Sequence, residues 1–223
     1  MLIAPAAIAT LGCAERTAGP IEPVQVQYVP EGVLPDNWRT RAERTDYAET
    51  GRYAEIVAYC ERLGEHPYAR YTTFGTSAEG RSLPLLILST DAEDPAWDIE
   101  HSRKIKVLLQ NCIHAGECAG KDACLALARD ILITGTQRDL LNSVDLIIMP
   151  IFNTDGHERF RPYSRINQNG PKEMGWRVTA QNLNLNRDYL KADSAEMQAW
   201  VRAWVRFQPD VLFDNHTTNG SDH

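Results

Sequence analysis

Hydrophobic positions along the chain repeat with two periods, which separate helical from extended segments. Apolar residues recurring about every 3.6 positions are typical of amphipathic helices. That spacing occurs at residues 45–63, 121–132 and 194–207. Short apolar or alternating runs predict strands. Such runs occur at residues 68–74, 83–88, 105–109, 146–151 and 211–213.

The order of these elements predicts an α/β fold, in which helices cover both faces of a largely parallel sheet. Residues 75–81, with two glycines, predict the turn of a hairpin between the first two strands. Residues 153–156 predict a tight turn after a buried strand. The polar residues 159–179 predict a long loop, and long loops in compact domains are usually functional or mobile.

Composition limits the class of protein. With 223 residues, 43% of them hydrophobic, the chain can bury one sizeable core. A formal net charge of -7 argues against a nucleic-acid partner, because no basic patch offsets phosphate repulsion. The five cysteines form no CxxC pair, so we expect them to be buried apolar residues rather than a disulfide framework.

The N-terminal stretch has the features of a targeting segment. Residues 1–12 are apolar and short, and with Cys13 they resemble the end of a bacterial lipoprotein signal. This predicts export to the periplasm or cell envelope, or an extracellular location, with a lipid anchor at Cys13. A terminus without a targeting role is the alternative. We therefore divide the chain into a signal remnant (1–20), a proline-bearing linker (21–44) and a folded domain (45–223).

Three candidate metal ligands follow predicted strands. His114 and Glu117 lie directly after the strand at 105–109, and His216 follows the last strand. In open α/β sheets, ligands bind beyond the carboxyl ends of the strands. Imidazole nitrogen and carboxylate oxygen both suit Zn²⁺. The sequence therefore predicts a zinc site at one edge of the sheet.

A set of short motifs follows the turn GTSAEGRSL at 75–83. They are HAGE at 114–117, NTDG at 153–156, SRINQNG at 164–170, NLNRDY at 184–189 and DNH at 214–216. In these motifs and their order, the chain resembles the zinc metallocarboxypeptidases of the carboxypeptidase A type from about residue 45 onward.

The resemblance implies a fold and a set of roles. The fold would be a three-layer sandwich with a mixed sheet, and the substrate a peptide with a free C-terminus. His114, Glu117 and His216 would bind zinc, leaving one position for water. Arg165 would stabilise the tetrahedral oxyanion. Asn186 and Arg187 would bind the terminal carboxylate of the substrate.

The chain departs from the family pattern near the zinc ligands. Gly116 stands where carboxypeptidase A has an arginine that contacts substrate. Asn184 replaces an aspartate that orients a zinc histidine, and we expect its amide to accept that imidazole N–H. Asp214 is a candidate for the same task at His216. We interpret His157 as a loop histidine rather than a ligand, and residues 171–179, with Trp176 and Arg177, as a longer rim.

The general-base glutamate and the capping tyrosine of the family lie well beyond the last zinc histidine, so neither is assigned in these 223 residues. The resemblance therefore implies a C-terminally truncated domain that lacks its general base. Two alternatives stay open. One is an N-acyl-amino-acid or peptidoglycan-peptide amidohydrolase of the same fold, and the other is a non-catalytic zinc- or peptide-binding module.

Overall fold

The computed structural model describes Leu34 and residues 36–166 and 168–217. The predicted signal remnant, with Cys13, and most of the predicted linker lie outside the described residues, so both stay predictions. No helix in the described part is both long and apolar enough to cross a membrane.

The described part of the chain contains five α-helices and five strands. The helices are α1 (Arg41–Arg44), α2 (Tyr53–Leu63), α3 (Ala119–Arg129), α4 (Thr154–Glu158) and α5 (Ala195–Phe207). The strands are β1 (Ala69–Thr76), β2 (Ser82–Leu88), β3 (Ile105–Asn111), β4 (Val144–Met149) and β5 (Val211–Asn215).

The five strands form one mixed sheet in the order β1-β2-β4-β3-β5. β1 and β2 pair as the predicted antiparallel hairpin, and β2 also runs antiparallel to β4. β3 lies between β4 and β5 and is parallel to both. The carboxyl ends of these three parallel strands therefore meet at one edge of the sheet.

Alternating side chains along the strands build two cores, one on each face of the sheet. Leu85 and Ile87 of β2 pack in the core that contains residues of α5. Leu86 and Leu88, which point the opposite way, pack in the core that contains residues of α2 and α3. The result is three layers, which confirms the predicted α/β sandwich.

The helix predicted at residues 45–63 begins later than predicted, at Tyr53. Thr40 caps the separate short helix α1, and the chain then turns through Asp46 and Tyr47, whose φ angles are 51° and 60°. These left-handed conformations do not fit a right-handed helix. Residues 36–44, within the predicted linker, contact the domain, since Glu43 pairs with Arg129 at 2.6 Å.

The tight turn predicted at residues 153–156 is instead the start of α4. The side-chain oxygen of Asn153 accepts a hydrogen bond from the Gly156 amide at 3.0 Å, a typical N-cap contact. The predicted helix at 121–132 starts earlier, at Ala119, and continues past α3 as a π-helical turn, Asp130–Thr134.

Candidate metal centre

A turn between β3 and α3 carries the first two predicted ligands. Cys112 has a positive φ of 55°, which redirects the chain as it leaves the strand. The Glu117 amide donates to the His114 carbonyl at 2.9 Å and closes the turn. A Cβ atom on Gly120 would lie 2.5 Å from Asn215 Cβ, so this glycine lets the end of β5 approach the start of α3 closely.

The structure brings His114, Glu117 and His216 together. Nδ1 of His114 lies 3.0 Å from one Glu117 carboxylate oxygen, and Nδ1 of His216 lies 3.0 Å from the other. One donor atom from each residue lies within 4.8 Å of the others. Two imidazole nitrogens and a carboxylate converging on one point match the donor set of a catalytic zinc site.

Glu117 is an ionised group in a buried position. Burial alone would raise the pKa of its carboxyl, but the contacts with His114, the Thr217 amide and Arg165 outweigh it and lower the pKa to about 2. The Thr217 amide donates to Glu117 at 3.1 Å. A carboxylate that is charged at neutral pH is suited to bind a cation.

The outer nitrogen of His216 is held by a carboxylate. Nε2 of His216 lies 3.0 Å from Asp214 Oδ2. If Nε2 carries the proton, Nδ1 turns a lone pair toward Glu117, and two lone pairs at 3.0 Å repel each other unless a cation lies between them. This arrangement fits a metal ion, and it gives Asp214 the contact expected from the sequence.

His114 has no such contact within the described residues. Its Nε2 is buried without a hydrogen-bond partner there. The expectation that Asn184 accepts this imidazole N–H is wrong, because the Asn184 side-chain oxygen accepts from the Asn186 amide at 3.1 Å instead. Asn184 caps a short 3₁₀ turn, Leu185–Arg187, a local role that short polar side chains commonly fill.

Two arginines from the long loop approach Glu117. Arg165 Nη1 lies 2.9 Å from a Glu117 oxygen, and its side chain is only 10% exposed. Arg177 Nη1 lies 3.8 Å from the same oxygen, with its side chain 41% exposed. Both guanidinium groups therefore lie beside the converging donor atoms, where they carry permanent positive charge.

Asn186 and Arg187 lie on the Leu185–Arg187 turn, and within the described residues neither side chain forms a hydrogen bond or ion pair with His114, Glu117 or His216. Arg187 is exposed; it donates to the Asn186 carbonyl at 2.7 Å and forms no ion pair within the described residues. Just after the turn, the Tyr189 hydroxyl contacts Gln110 Nε2 at 2.9 Å, and the same nitrogen donates to Asp214 at 2.8 Å. A hydrogen-bonded chain thus joins the turn to His216.

Gln110 and Thr217 contact the site and were not predicted from the sequence. Gln110 is a fully buried amide near the end of β3, and the polar pair Gln110–Asn111 directly after the apolar run 105–109 was the available signal. Thr217 acts through its backbone amide, which leaves no signal in the sequence.

His157 is not the loop histidine expected from the sequence. It lies in α4, fully buried, with Nε2 3.2 Å from Lys121 Nζ.

The four described cysteines are buried and free, as predicted. Cys118 Sγ contacts the Ala115 carbonyl at 3.6 Å and is not among the converging donors.

The structure thus has an α/β fold with three donor residues, at the carboxyl edge of its parallel strands, that could hold one metal ion. The chain belongs to the zinc carboxypeptidase family, whose sequence model matches residues 56–210. The matched range includes the predicted site residues His114, Glu117, Arg165, Asn186 and Arg187. It ends before His216.

Individual relatives agree with this membership. Carboxypeptidase 2 of Trichophyton rubrum is 29% identical over 141 residues, which is 63% of this chain and 23% of that protein. Carboxypeptidase D of Mus musculus is 26% identical over 193 residues, 76% of this chain and 14% of that protein. The chain thus spans less than a quarter of the length of these two relatives.

Solved structures share the fold. Carboxypeptidase A from Helicoverpa armigera superposes with a TM-score of 0.57 at 25% identity, covering 77% of this chain and 46% of that one. A metallo-carboxypeptidase from Burkholderia cenocepacia gives a TM-score of 0.58 at 23% identity, covering 75% and 41%. At 23% identity, the comparison with the Burkholderia cenocepacia protein shows a shared fold alone.

Proposed function

We propose that this chain forms the zinc-binding part of a metallocarboxypeptidase that hydrolyses C-terminal peptide bonds. The observation that carries the proposal is the convergence of His114, Glu117 and His216, whose donor atoms lie within 4.8 Å of one another. Membership of the zinc carboxypeptidase family supports the same reaction class. The substrate would be a peptide with a free C-terminus.

His114, Glu117 and His216 would hold the zinc ion. When bound, zinc in such a site lowers the pKa of a coordinated water and polarises the scissile carbonyl. Asp214 keeps the His216 ring oriented, with Nδ1 turned toward Glu117. Gln110 fixes Asp214 in turn, through a hydrogen bond of 2.8 Å. These contacts position the ligand set before any substrate arrives.

Two groups would bind the substrate. Arg165, beside Glu117, would donate hydrogen bonds to the oxygen that becomes negatively charged as the carbonyl is attacked. Arg187, whose guanidinium is exposed, would bind the terminal carboxylate, with Asn186 beside it. A fixed cation favours a free carboxylate over a neutral amide, so the enzyme would prefer peptides with free C-termini.

The proposal is tested by hydrolysis with the full-length protein. We expect cleavage of free-acid peptides that stops when zinc is removed and returns when it is restored. Arg187→Ala should lower kcat/KM for free-acid peptides. The corresponding loss of transition-state binding should be about 1.5 to 3 kcal/mol, the range for a hydrogen bond to a charged group. C-terminally amidated peptides should lose almost nothing.

The matched control is Arg202→Ala, which removes an exposed arginine of α5. It should leave both substrate classes unchanged. Equal losses on acid and amide peptides in Arg187→Ala would show that Arg187 supports the fold rather than the carboxylate. Full zinc content in a His114→Ala, His216→Ala double variant would contradict the ligand assignment.

A further inference from the structure

A cavity of about 460 Å³ adjoins the candidate metal centre. It lies between α3, residues 40–49 and residues 168–171, and it reaches Gly116 and Thr217, the chain neighbours of Glu117 and His216. Residues 40–49 precede the range that matches the family, which begins at residue 56. Part of the cavity wall therefore lies outside the range that the family model matches.

The lining is made mostly of small uncharged residues. Ala119, Ala123 and Ala126 contribute one face of α3 to the wall. Among the described residues, no lysine or arginine lines the cavity, whereas three carboxylates do, those of Glu43, Glu49 and Asp122. An acidic ligand would meet like charges without a counter-ion in the wall, and an uncharged one would bury apolar surface.

Each of the three carboxylates already has a polar partner behind the wall. Glu43 pairs with Arg129 at 2.6 Å and Glu49 with Arg41 at 3.1 Å, and Asp122 accepts a hydrogen bond from the Thr50 hydroxyl at 2.7 Å. A basic ligand would therefore gain little from them. The chemistry of the cavity favours an uncharged side chain over either charged kind.

The cavity and the predicted carboxylate-binding turn lie on opposite faces of the sheet. Leu185, beside Asn186, packs in the core with Met197 and Trp200 of α5. Cys124 and Ala128 of α3 pack in the other core. A peptide with its C-terminus at Arg187 would cross the strand ends at the metal centre, and its preceding residues would enter the cavity.

We infer that this cavity is a binding subsite for an uncharged side chain on the N-terminal side of the scissile bond. The inference rests on the proposed function for the direction of the peptide. Burying a leucine side chain strengthens binding roughly 10- to 100-fold relative to glycine. Leucine should therefore be strongly preferred to glycine at this position, and glutamate should not be.

Binding is measured first, because it does not require turnover. The probes are peptides whose scissile bond is reduced to –CH₂–NH–, with Gly, Leu or Glu at each of the two preceding positions in turn. Calorimetry with zinc-loaded full-length protein gives the Leu to Gly ratio of affinities. Ala123→Trp, which fills the cavity from an exposed position of α3, should bring that ratio close to one. Ala119→Leu, a smaller filling change, should reduce it partly.

The matched control is Ala54→Trp, at an exposed position of α2 away from the cavity. It should keep the wild-type ratio, and equal zinc contents check the folding of all variants. A ratio unchanged by Ala123→Trp, or equal affinity for Glu and Leu probes, would overturn the inference. Cleavable peptides separate the two ideas. If the protein binds Leu probes more tightly than Gly probes but cleaves no peptide, the proposed function is rejected and the subsite is kept. If it cleaves peptides but binds the two probes equally, the subsite is rejected and the proposed function is kept.

Discussion

The two candidate histidine ligands differ in how their outer nitrogens are held. His216 Nε2 contacts Asp214 at 3.0 Å, and Asp214 accepts a further hydrogen bond from Gln110 at 2.8 Å. His114 Nε2 is buried with no partner in the described residues. A carboxylate behind an imidazole fixes the ring and its tautomer and increases its basicity. Asp214 is therefore the main orienting group of the ligand set.

We expect Asp214→Asn to weaken zinc binding by roughly 10- to 100-fold, the usual effect of removing such an outer contact. The amide keeps the shape of the side chain but loses the negative charge behind His216. Competition with a chromophoric chelator measures the zinc affinity. Asp139→Asn, at an exposed aspartate of the turn Arg138–Asn142, serves as the control. Equal zinc affinities in the two variants would show that Asp214 does not orient His216.

At the scale of elements, a buried polar chain joins α2, α3 and α4. Lys121 of α3 is fully buried and donates to the Gly51 carbonyl, just before α2, at 2.8 Å. Its Nζ also lies 3.2 Å from His157 Nε2 of α4, and His157 Nδ1 lies 3.3 Å from Glu158. A neutral imidazole fits both contacts, because Nε2 then accepts from Lys121 while Nδ1–H donates to Glu158.

Because of this buried polar chain, the free energy of unfolding should fall in weak acid. Burial, reinforced by the Lys121 charge, lowers the pKa of His157 from 6.5 to about 4. Between these values the unfolded chain binds a proton that the folded chain does not, so the free energy of unfolding falls as the pH falls. The difference corresponds to about 3 kcal/mol between pH 6.5 and pH 4.

Urea denaturation across that pH range checks the expectation, with His157→Gln as the variant that cannot titrate. The variant should lose less stability than the wild type on acidification. Burial also lowers the pKa of His66 to about 4, but that residue contributes equally to both proteins and cancels in the comparison. Parallel pH profiles for wild type and His157→Gln would show that His157 is not held neutral.

Elements with a strong hydrophobic period were predictable, and elements fixed by local polar contacts were not. The hairpin, β3, β4 and α5 follow alternation or a helical stripe, and the structure has them within a few residues of the predicted bounds. The start of α2 was wrong because Tyr47 fits the helical stripe while its φ of 60° places it in a turn. The helix α4 was missed because five residues are too few to show a period.

For the whole molecule, the position of a residue after a strand was the informative signal for the site. β3 lies between β4 and β5, so residues that follow β3 and β5 must meet, and this brought His114 and Glu117 to His216. The contacts of Gln110, and of Lys121 with His157, depend on which helix faces which strand end. That information is absent from the spacing of residues along the chain.

The candidate ligands come from distant parts of the chain, since Glu117 and His216 are 99 residues apart. A metal ion bound by both would connect the β3–α3 turn to the end of β5. The ligands converge in the folded state, whereas an unfolded chain keeps them apart. Any zinc that binds the folded state in preference to the unfolded state raises the free energy of unfolding.

We therefore expect zinc to raise the unfolding temperature of the full-length protein. Free zinc at roughly 100 times its dissociation constant adds about 2.7 kcal/mol, which for a domain of this size shifts Tm by roughly 5 to 10 °C. Differential scanning calorimetry with and without chelator measures the shift. The His114→Ala, His216→Ala double variant should show none, because Glu117 alone cannot hold the ion. A zinc-dependent rise of the same size in that variant would place the stabilising metal elsewhere in the protein.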